Sequence, residues 1–250
     1  MNTAVLAEID AFLSKNAMIF LDYDGTLVEI SPDPSGSYLD RDALHLLVAI
    51  SEAYDLFIVT GRTLGDMERF LGNRFNLIAL HGAIVKMKGS EPYFCQNFTE
   101  YKLKSAQVYA MRNEIIHDFP GIRIRDKGGA VSFTTWLIDN NMKPILRKKL
   151  SKIAEEYGFE LWAGKEIYEM RIPGVNKGVA VRNIRNGRPA IIAGDDTTDE
   201  DAFRLNQDAI TIKVGEGDTA ARYRVSGVSE MLDILRFIAQ KHHKDQAASV

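Results

Sequence analysis

Residues 19–30 read IFLDYDGTLVEI, and the interpretation of the rest of the chain depends on this stretch. The apolar run Met18–Leu21 is typical of a strand that is buried on both faces of a parallel sheet. It ends in Asp22 and Asp24, and a Gly-Thr pair follows. Because ligands bind at the carboxyl ends of the strands in open α/β sheets, these two carboxylates lie where a site is expected.

Two carboxylates at this spacing allow more than one interpretation. They could share a hard cation through oxygen ligands, or one of them could attack an electrophile such as phosphorus. An isolated D-x-D-G after a core strand is more commonly a solvated turn. A calcium loop of the EF-hand type does not fit, because Leu27 stands at position six, where that loop needs glycine. Three clusters downstream favour the phosphorus chemistry.

The bulk composition is that of a globular protein with a sizeable core. Of the 250 residues, 46% are hydrophobic and 26% charged, and the net charge of −3 predicts neither nucleic acid nor an anionic membrane as a partner. The single cysteine, Cys95, excludes an intramolecular disulfide and suits a reducing compartment. With no signal peptide, no run near the roughly 20 apolar residues of a membrane span and no dimerisation feature, we expect a cytoplasmic monomer.

Strands alternate with helices in residues 1–83 and again in 174–250, which predicts a Rossmann-like parallel sheet with right-handed crossovers. Between them, residues 84–173 read as two hairpins, two helices and a final strand, the pattern of an α+β unit with an antiparallel sheet. We therefore predict an α/β core in two parts, with an inserted α+β cap domain at 84–173.

Three further polar clusters follow predicted core strands or begin predicted helices. They are Thr60-Gly61-Arg62, Asn176-Lys177-Gly178 and the acidic run from Gly194 to Asp199. Each alone is typical of a turn, a solvated lysine or a helix cap. Together with the first cluster, on one sheet edge, they supply a carboxylate nucleophile, cation ligands, phosphate-binding groups and a proton donor.

This combination resembles the haloacid-dehalogenase-like phosphatases, whose D-x-D-G-T motif is matched in full from Asp22 to Thr26. The resemblance implies a Mg²⁺ cofactor and an aspartyl-phosphate intermediate. It assigns the following roles: Asp22 as nucleophile, Asp24 as general acid/base with a carbonyl for the metal, Thr60 and Lys177 as phosphate-binding groups, Asp195 as metal ligand, Asp196 as a residue supporting the metal and Asp199 as the residue that orients Lys177.

Within that superfamily, V-T-G-R at Val59–Arg62, H-G-A at His81–Ala83 and G-D-D-x-T-D-E at Gly194–Glu200 are similar to trehalose-6-phosphate phosphatases, most of all archaeal members. The resemblance implies Mg²⁺-dependent hydrolysis of trehalose 6-phosphate to trehalose and phosphate. It places Gly61, Arg62 and His81 at the substrate. Lys165 and Glu169 would hydrogen-bond the sugar from the cap, with Lys127 and Arg171 as additions.

The second cap hairpin departs from the family pattern. Bacterial members often carry a His-Tyr-Arg run there, and Thr134, Thr135 and Trp136 stand at the matching positions in this chain. Alternatives to the trehalose substrate are a glucosylglycerate or mannosylglycerate phosphate, or a hexose phosphate. A mutase, and a non-catalytic sugar-phosphate-binding protein, are further alternatives, although a binding protein would be expected to have lost Asp22, Asp24 or Lys177.

Overall fold

The computed structural model describes residues 3–31, 34–164 and 166–248. Its helices are α1 (Thr3–Leu13), α2 (Arg41–Ala53), α3 (Leu64–Leu71), α4 (Phe98–Ala110), α5 (Arg112–Asp118), α6 (Lys143–Tyr157), α7 (Lys177–Arg185), α8 (Thr197–Leu205) and α9 (Val228–Ala248), with short 3-10 turns at Pro34–Gly36 and Leu80–Gly82. Its strands are β1 (Met18–Asp22), β2 (Leu56–Val59), β3 (Asn76–Ala79), β4 (Ile84–Lys86), β5 (Tyr93–Phe94), β6 (Arg123–Asp126), β7 (Val131–Thr134), β8 (Glu160–Gly164), β9 (Ile167–Arg171), β10 (Ala190–Gly194), β11 (Ile210–Val214) and β12 (Tyr223–Val225).

The chain divides into two compact units. The first, here called the core unit, comprises the residues up to Tyr93 and those from Asn176 onward; the second, the inserted unit, is Phe94–Val175. The sequence prediction placed these boundaries after residues 83 and 173. The first boundary differs because β4 pairs antiparallel with β3 in the core sheet instead of joining the inserted unit.

The sheet of the core unit explains why β1 is entirely apolar before Asp22. Among the described residues, the strand order is β12-β11-β10-β1-β2-β3-β4-β5, and the pairs from β12 to β3 are parallel. Alternate residues of β1 face opposite sides: Ile19 packs with residues of α1, α2 and α9, whereas Phe20 packs with residues of α7 and α8. The prediction of a parallel α/β core is confirmed.

The inserted unit has a separate antiparallel sheet, with the order β6-β7-β9-β8 among the described residues. The apolar side chains of β7 and β9 pack with residues of α4, α5 and α6. The predicted α+β character is therefore confirmed, but its details were partly wrong. The first of the two helices predicted for this unit is divided at Met111 into α4 and α5, and β8 was not predicted.

Candidate active site

The ends of two neighbouring strands bring the first carboxylates together. β1 and β10 pair in parallel, with Leu21 opposite Ala193. Asp22 is the last residue of β1, and Asp195 comes directly after β10. Both side chains therefore project from the same edge of the sheet, as expected for the ligand-binding edge of an open α/β fold.

Lys177 lies between two of the carboxylates. It is the first residue of α7, where the Asn176 side chain caps the helix by accepting from the Val179 N–H at 2.9 Å. Its Nζ donates to Asp22 Oδ1 at 2.7 Å and to Asp199 Oδ1 at 2.8 Å, and all three side chains are buried. A buried charge is tolerable only when it is paired and hydrogen-bonded, and here both conditions are met.

A third carboxylate completes a cluster with the chemistry of a cation site. One oxygen each from Asp22, Asp195 and Asp199 lie within 4.8 Å of one another. Asp195 Oδ1 is buried and has no hydrogen-bond partner in the structure. Such an atom costs free energy unless something binds it. Hard divalent cations take carboxylate oxygens as ligands, so the donor set and the orphaned oxygen both fit a cation of this kind.

Gly25 is needed for this packing. Its φ is +77°, and a Cβ at this position would lie 2.0 Å from Asp195 Oδ2. A side chain here would be strained and would also displace the Asp195 carboxylate. The glycine of the D-x-D-G-T motif therefore leaves room for the three-carboxylate cluster.

Burial and mutual repulsion shift the protonation of these groups. Burial raises the pKa of Asp22 well above its usual value, Asp199 and Asp195 raise it further, and Lys177 opposes the shift. Burial and the neighbouring Asp199 also raise the pKa of Asp195 to about 6. Burial alone would lower the pKa of Lys177, but Asp199 and Asp22 outweigh it and raise that pKa above its usual value.

Asp195→Asn is expected to stabilise the metal-free protein at pH 8. A carboxyl group whose folded pKa is raised stabilises the fold below its unfolded pKa of 3.8, and that contribution is lost as the pH rises through about 6. The neutral amide removes the resulting penalty, which is about 3 kcal/mol. Urea unfolding in a chelator should show a gain at pH 8 that disappears by pH 4; an equal gain at both pH values would contradict the shift.

Asp24 has a different environment from Asp22. Arg62 holds it in a bidentate pair, with Nε 2.6 Å from Oδ2 and Nη2 2.5 Å from Oδ1, and the Asp24 side chain is 35% exposed. The guanidinium also lies 5.0 Å from the centre of the Phe70 ring and 5.7 Å from that of Tyr23. The structure thus pairs Arg62, which was expected at the substrate, with the expected general acid/base.

Thr60, Gly61 and His81 form one tightly packed segment after β2. Thr60 is buried, its Oγ1 accepts from the Arg62 N–H at 3.1 Å, and its carbonyl accepts from the His81 N–H at 2.9 Å. A Cβ on Gly61 would lie 2.3 Å from His81 Cε1. This close approach explains why the position after Thr60 is glycine.

Asp196 begins α8 and does not join the three-carboxylate cluster. It is the N-cap of the helix, and its Oδ1 accepts from the Thr197 N–H at 2.7 Å. Its own N–H donates to Asp199 Oδ2 at 3.1 Å, which closes a capping box. Of the four residues expected at the metal, Asp22 and Asp195 thus have carboxylates in the cluster, together with Asp199.

In the inserted unit, three of the residues expected at the sugar contact one another. Glu169 is buried, and it accepts from Lys127 Nζ and from Arg171 Nε, the second bond measuring 2.7 Å. The Arg171 guanidinium lies 4.1 Å from the centre of the Trp162 ring. The remaining expected sugar-binding residue, Lys165, lies outside the described residues.

One residue of the site was not found from the sequence. Lys213, in β11, is buried and donates from Nζ to the backbone carbonyl of Asp195. The available signal was a lysine within the otherwise largely apolar strand ITIKV, at its carboxyl end. A charged residue at such a place is expected to bind a specific partner, but the partner cannot be identified from the strand alone.

Comparison with known proteins extends over almost all of this architecture. The trehalose-phosphatase family model matches residues 20–229. The chain is 47% identical over 222 residues to the trehalose-6-phosphate phosphatase-related protein of Thermoplasma acidophilum, covering 88% of this chain and 96% of that one. It is 26% identical over 251 residues to the trehalose-6-phosphate phosphatase of Escherichia coli, covering 94% and 91%. The crystal structure of a trehalose-6-phosphate phosphatase related protein superposes with a TM-score of 0.86 at 44% identity, covering 92% of this chain and 100% of the other.

With matches of this kind over most of its length, the chain is a phosphatase. The family model spans most of the core unit and the whole of the inserted unit, and the Thermoplasma relative is covered almost end to end. The chain therefore belongs to the trehalose-phosphatase family. Across the described helices, none is long and apolar enough to cross a membrane.

Proposed function

We propose that this protein hydrolyses trehalose 6-phosphate to trehalose and phosphate, with Mg²⁺ as cofactor and Asp22 as the nucleophile. The observation that carries the proposal is the buried contact of Lys177 with both Asp22 and Asp199, beside the unpaired oxygen of Asp195. The names of the relatives support the choice of substrate.

The chemistry would proceed in two displacements at phosphorus. A carboxylate oxygen of Asp22 attacks the phosphorus, the bond to the sugar oxygen breaks, and Asp24 gives that oxygen a proton. Water then attacks the aspartyl phosphate, Asp24 takes a proton from the water, and the bond between phosphorus and Asp22 breaks. The second step releases phosphate and restores both aspartates.

Asp24 must change its contacts before it can act as an acid. Arg62 occupies both carboxylate oxygens of Asp24 in a bidentate pair, so neither oxygen can contact the sugar oxygen while this pair is intact. Binding of the substrate would have to separate the two. Arg62, released in that exchange, is the cation we assign to the substrate, together with Gly61 and His81.

The groups that would surround the phosphate come from the same edge of the core sheet. We assign the Thr60 hydroxyl and Lys177 to its oxygens, because a hydroxyl donor and a cation stabilise the charge that develops during transfer. Asp22, Asp195 and the backbone carbonyl of Asp24 would hold Mg²⁺, with Asp196 in support. Bound there, Mg²⁺ offsets the repulsion between the nucleophile and the anionic substrate.

Sugar recognition is assigned to the inserted unit, through Glu169, Lys127, Arg171 and Lys165. In the structure, Glu169 accepts from both Lys127 and Arg171, which fixes three polar side chains relative to one another. A site that hydrogen-bonds sugar hydroxyls selects strongly, because a poor substrate leaves its buried polar groups unpaired.

Phosphate release across a panel of sugar phosphates, with Mg²⁺ and with chelator, tests this proposal. We expect metal-dependent turnover that is fastest with trehalose 6-phosphate. Faster turnover of a glucosylglycerate, mannosylglycerate or hexose phosphate would retain the chemistry and change the substrate. Tight binding of the panel without any turnover would favour a binding protein and would overturn the proposed reaction.

Glu169→Gln is expected to impair the disaccharide substrate far more than a small aryl phosphate. The substitution keeps the shape but weakens two charge-assisted hydrogen bonds, so Lys127 and Arg171 lose their fixed positions. The comparison of kcat/KM for trehalose 6-phosphate and for p-nitrophenyl phosphate measures this, and the ratio should fall by about tenfold or more. Glu114→Gln is the control, since Glu114 pairs with Lys149 in the same unit and is exposed. Equal losses of kcat/KM on both substrates would contradict a role for Glu169 in sugar recognition.

A further inference from the structure

Lys213 has an environment that the proposed reaction does not account for. It is the fourth residue of β11, it is 4% exposed, and it stands opposite Gly194 of β10 in the parallel register. Its strand neighbours Ile212 and Val214 belong to the apolar core. An ammonium group in such a position is expensive to bury unless it makes a specific bond, and the bond it makes is to the Asp195 carbonyl.

The peptide unit between Asp195 and Asp196 is held from both sides. Lys213 Nζ binds its carbonyl oxygen, and its N–H donates to Asp199 Oδ2 at 3.1 Å. A peptide plane fixed at both ends cannot rotate without breaking one of these bonds. The direction in which the Asp195 side chain leaves the main chain is therefore fixed as well.

The same bonds continue as far as the nucleophile. Asp199 accepts at Oδ1 from Lys177 Nζ at 2.8 Å, and Lys177 Nζ donates to Asp22 Oδ1 at 2.7 Å. A chain of charge-assisted bonds thus runs from β11 to the end of β1. The hydrogen bonds of a buried network strengthen one another, so the loss of a bond at one end weakens the others.

We propose that Lys213 is a positioning residue for the catalytic centre: by fixing the peptide between Asp195 and Asp196, it sets the positions of Asp199, Lys177 and Asp22. The effect on turnover rests on the proposed function, whereas the effect on the peptide does not. A displacement of about 1 Å in a catalytic group can cost on the order of 10²-fold in rate. Loss of Lys213 should therefore lower kcat by roughly 10- to 100-fold and change KM little.

Two other roles for Lys213 make different predictions. A residue that only stabilised the fold would lower the melting temperature and leave kcat and the environment of Asp196 unchanged in the folded protein. A residue that only balanced the charge of the carboxylates would be replaceable by any cation, so Lys213→Arg would retain full activity. Positioning requires the length and direction of lysine, so Lys213→Arg should recover activity only in part.

The experiment compares Lys213→Met and Lys213→Arg with the wild type and with Lys86→Met. Lys86 is the matched control, because it is a strand lysine of the same sheet that pairs with Glu68, away from the acidic cluster. The readouts are kcat and KM for phosphate release, and the ¹H–¹⁵N resonance of the Asp196 amide in metal-free protein. We expect Lys213→Met to lower kcat and to shift that amide resonance upfield, as its bond to Asp199 loosens. Lys86→Met should change neither.

An unchanged Asp196 amide resonance in folded Lys213→Met would overturn the proposal, and so would an unchanged kcat. If Lys213→Met does not fold, Lys213→Gln keeps an N–H donor at shorter reach, and the same two outcomes apply. The amide measurement needs no substrate, so it tests the positioning role of Lys213 independently of the proposed reaction. A wild-type protein that releases no phosphate, with the amide shift present in Lys213→Met, would overturn only the proposed function.

Discussion

Asp22→Asn is expected to abolish phosphate release while the protein remains folded. The amide cannot act as the nucleophile, and no other carboxylate occupies the end of β1 beside Lys177 in the described part of the chain. Loss of a nucleophile in an enzyme that forms a covalent intermediate costs on the order of 10⁴- to 10⁶-fold in kcat. This is the largest effect on activity that the structure predicts for a single substitution.

The fold should survive because the ionised form of Asp22 is unfavourable. Burial raises the pKa of this carboxyl well above its usual value, so the neutral amide removes a cost at neutral pH. Lys177 keeps its bond to Asp199 in the variant. Urea unfolding and phosphate release should be measured together, with Asp55→Asn as control. Asp55 precedes β2, so it lies at the amino ends of the parallel strands, and it pairs with Arg188.

A comparable rate of phosphate release by Asp22→Asn would rule out Asp22 as the nucleophile. An unfolded variant would instead contradict the account of its pKa. Because Asp55→Asn removes one carboxylate of equal size from an exposed ion pair, it controls for the general effect of the substitution.

The sequence predicts the core unit well because its strands and the polar clusters that follow them can be recognised from short stretches, and these stretches all indicate the same fold. Short apolar runs such as Met18–Leu21 identify buried strands, and the carboxyl ends of parallel strands share one edge of a sheet. Polar clusters that follow different strands must therefore lie near one another, however distant they are along the chain. The meeting of Asp22, Asp195 and Lys177 required no more information than this.

The pairing of strands with sheets could not be predicted in the same way. The alternation of residues in β4 indicates a strand, but it does not indicate which strand β4 pairs with. An antiparallel strand can join either sheet. The structure adds it to β3 of the core sheet, which moves the boundary of the inserted unit to Tyr93/Phe94. The short strand β8 has mostly half-buried residues, so its sequence lacks the apolar run of a core strand.

The sequence also could not predict which side chains of the site hydrogen-bond to one another. The pattern places Arg62 after β2 and Asp24 after β1, but the bidentate pair depends on side-chain directions that no motif specifies. The same holds for Lys213, which bonds to a main-chain carbonyl and so leaves no partner residue to recognise. In the inserted unit, Lys127, Glu169 and Arg171 were predicted by resemblance as separate sugar contacts, and the structure joins them into one group.

Lys177→Met is expected to cause the largest loss of stability. In the wild type, the ammonium group binds two buried carboxylates, and a third lies within 4.8 Å of them. Removing one partner of a buried ion pair leaves uncompensated charge and costs about 3 to 5 kcal/mol. Urea unfolding in a chelator at pH 8 should show this loss, and phosphate release should fall as well.

The loss should depend on pH in a defined direction. Lys177 lowers the pKa of both Asp22 and Asp195, so its removal raises these values further. Carboxyl groups with raised folded pKa values are neutral at low pH and ionise as the pH rises through those values, which is where the fold is penalised. The deficit of Lys177→Met against the wild type should therefore shrink between pH 8 and pH 5, whereas a deficit of Lys86→Met should not.

A double substitution tests whether repulsion is the cause. If the carboxylates repel one another once Lys177 is gone, then Lys177→Met with Asp22→Asn should be more stable than Lys177→Met alone, because one of the charges has been removed. Contacts between residues in one ion-pair network are not additive, and the double-mutant cycle measures that coupling directly. A double variant no more stable than Lys177→Met would assign the loss to packing of the lysine side chain in α7 instead of to its charge.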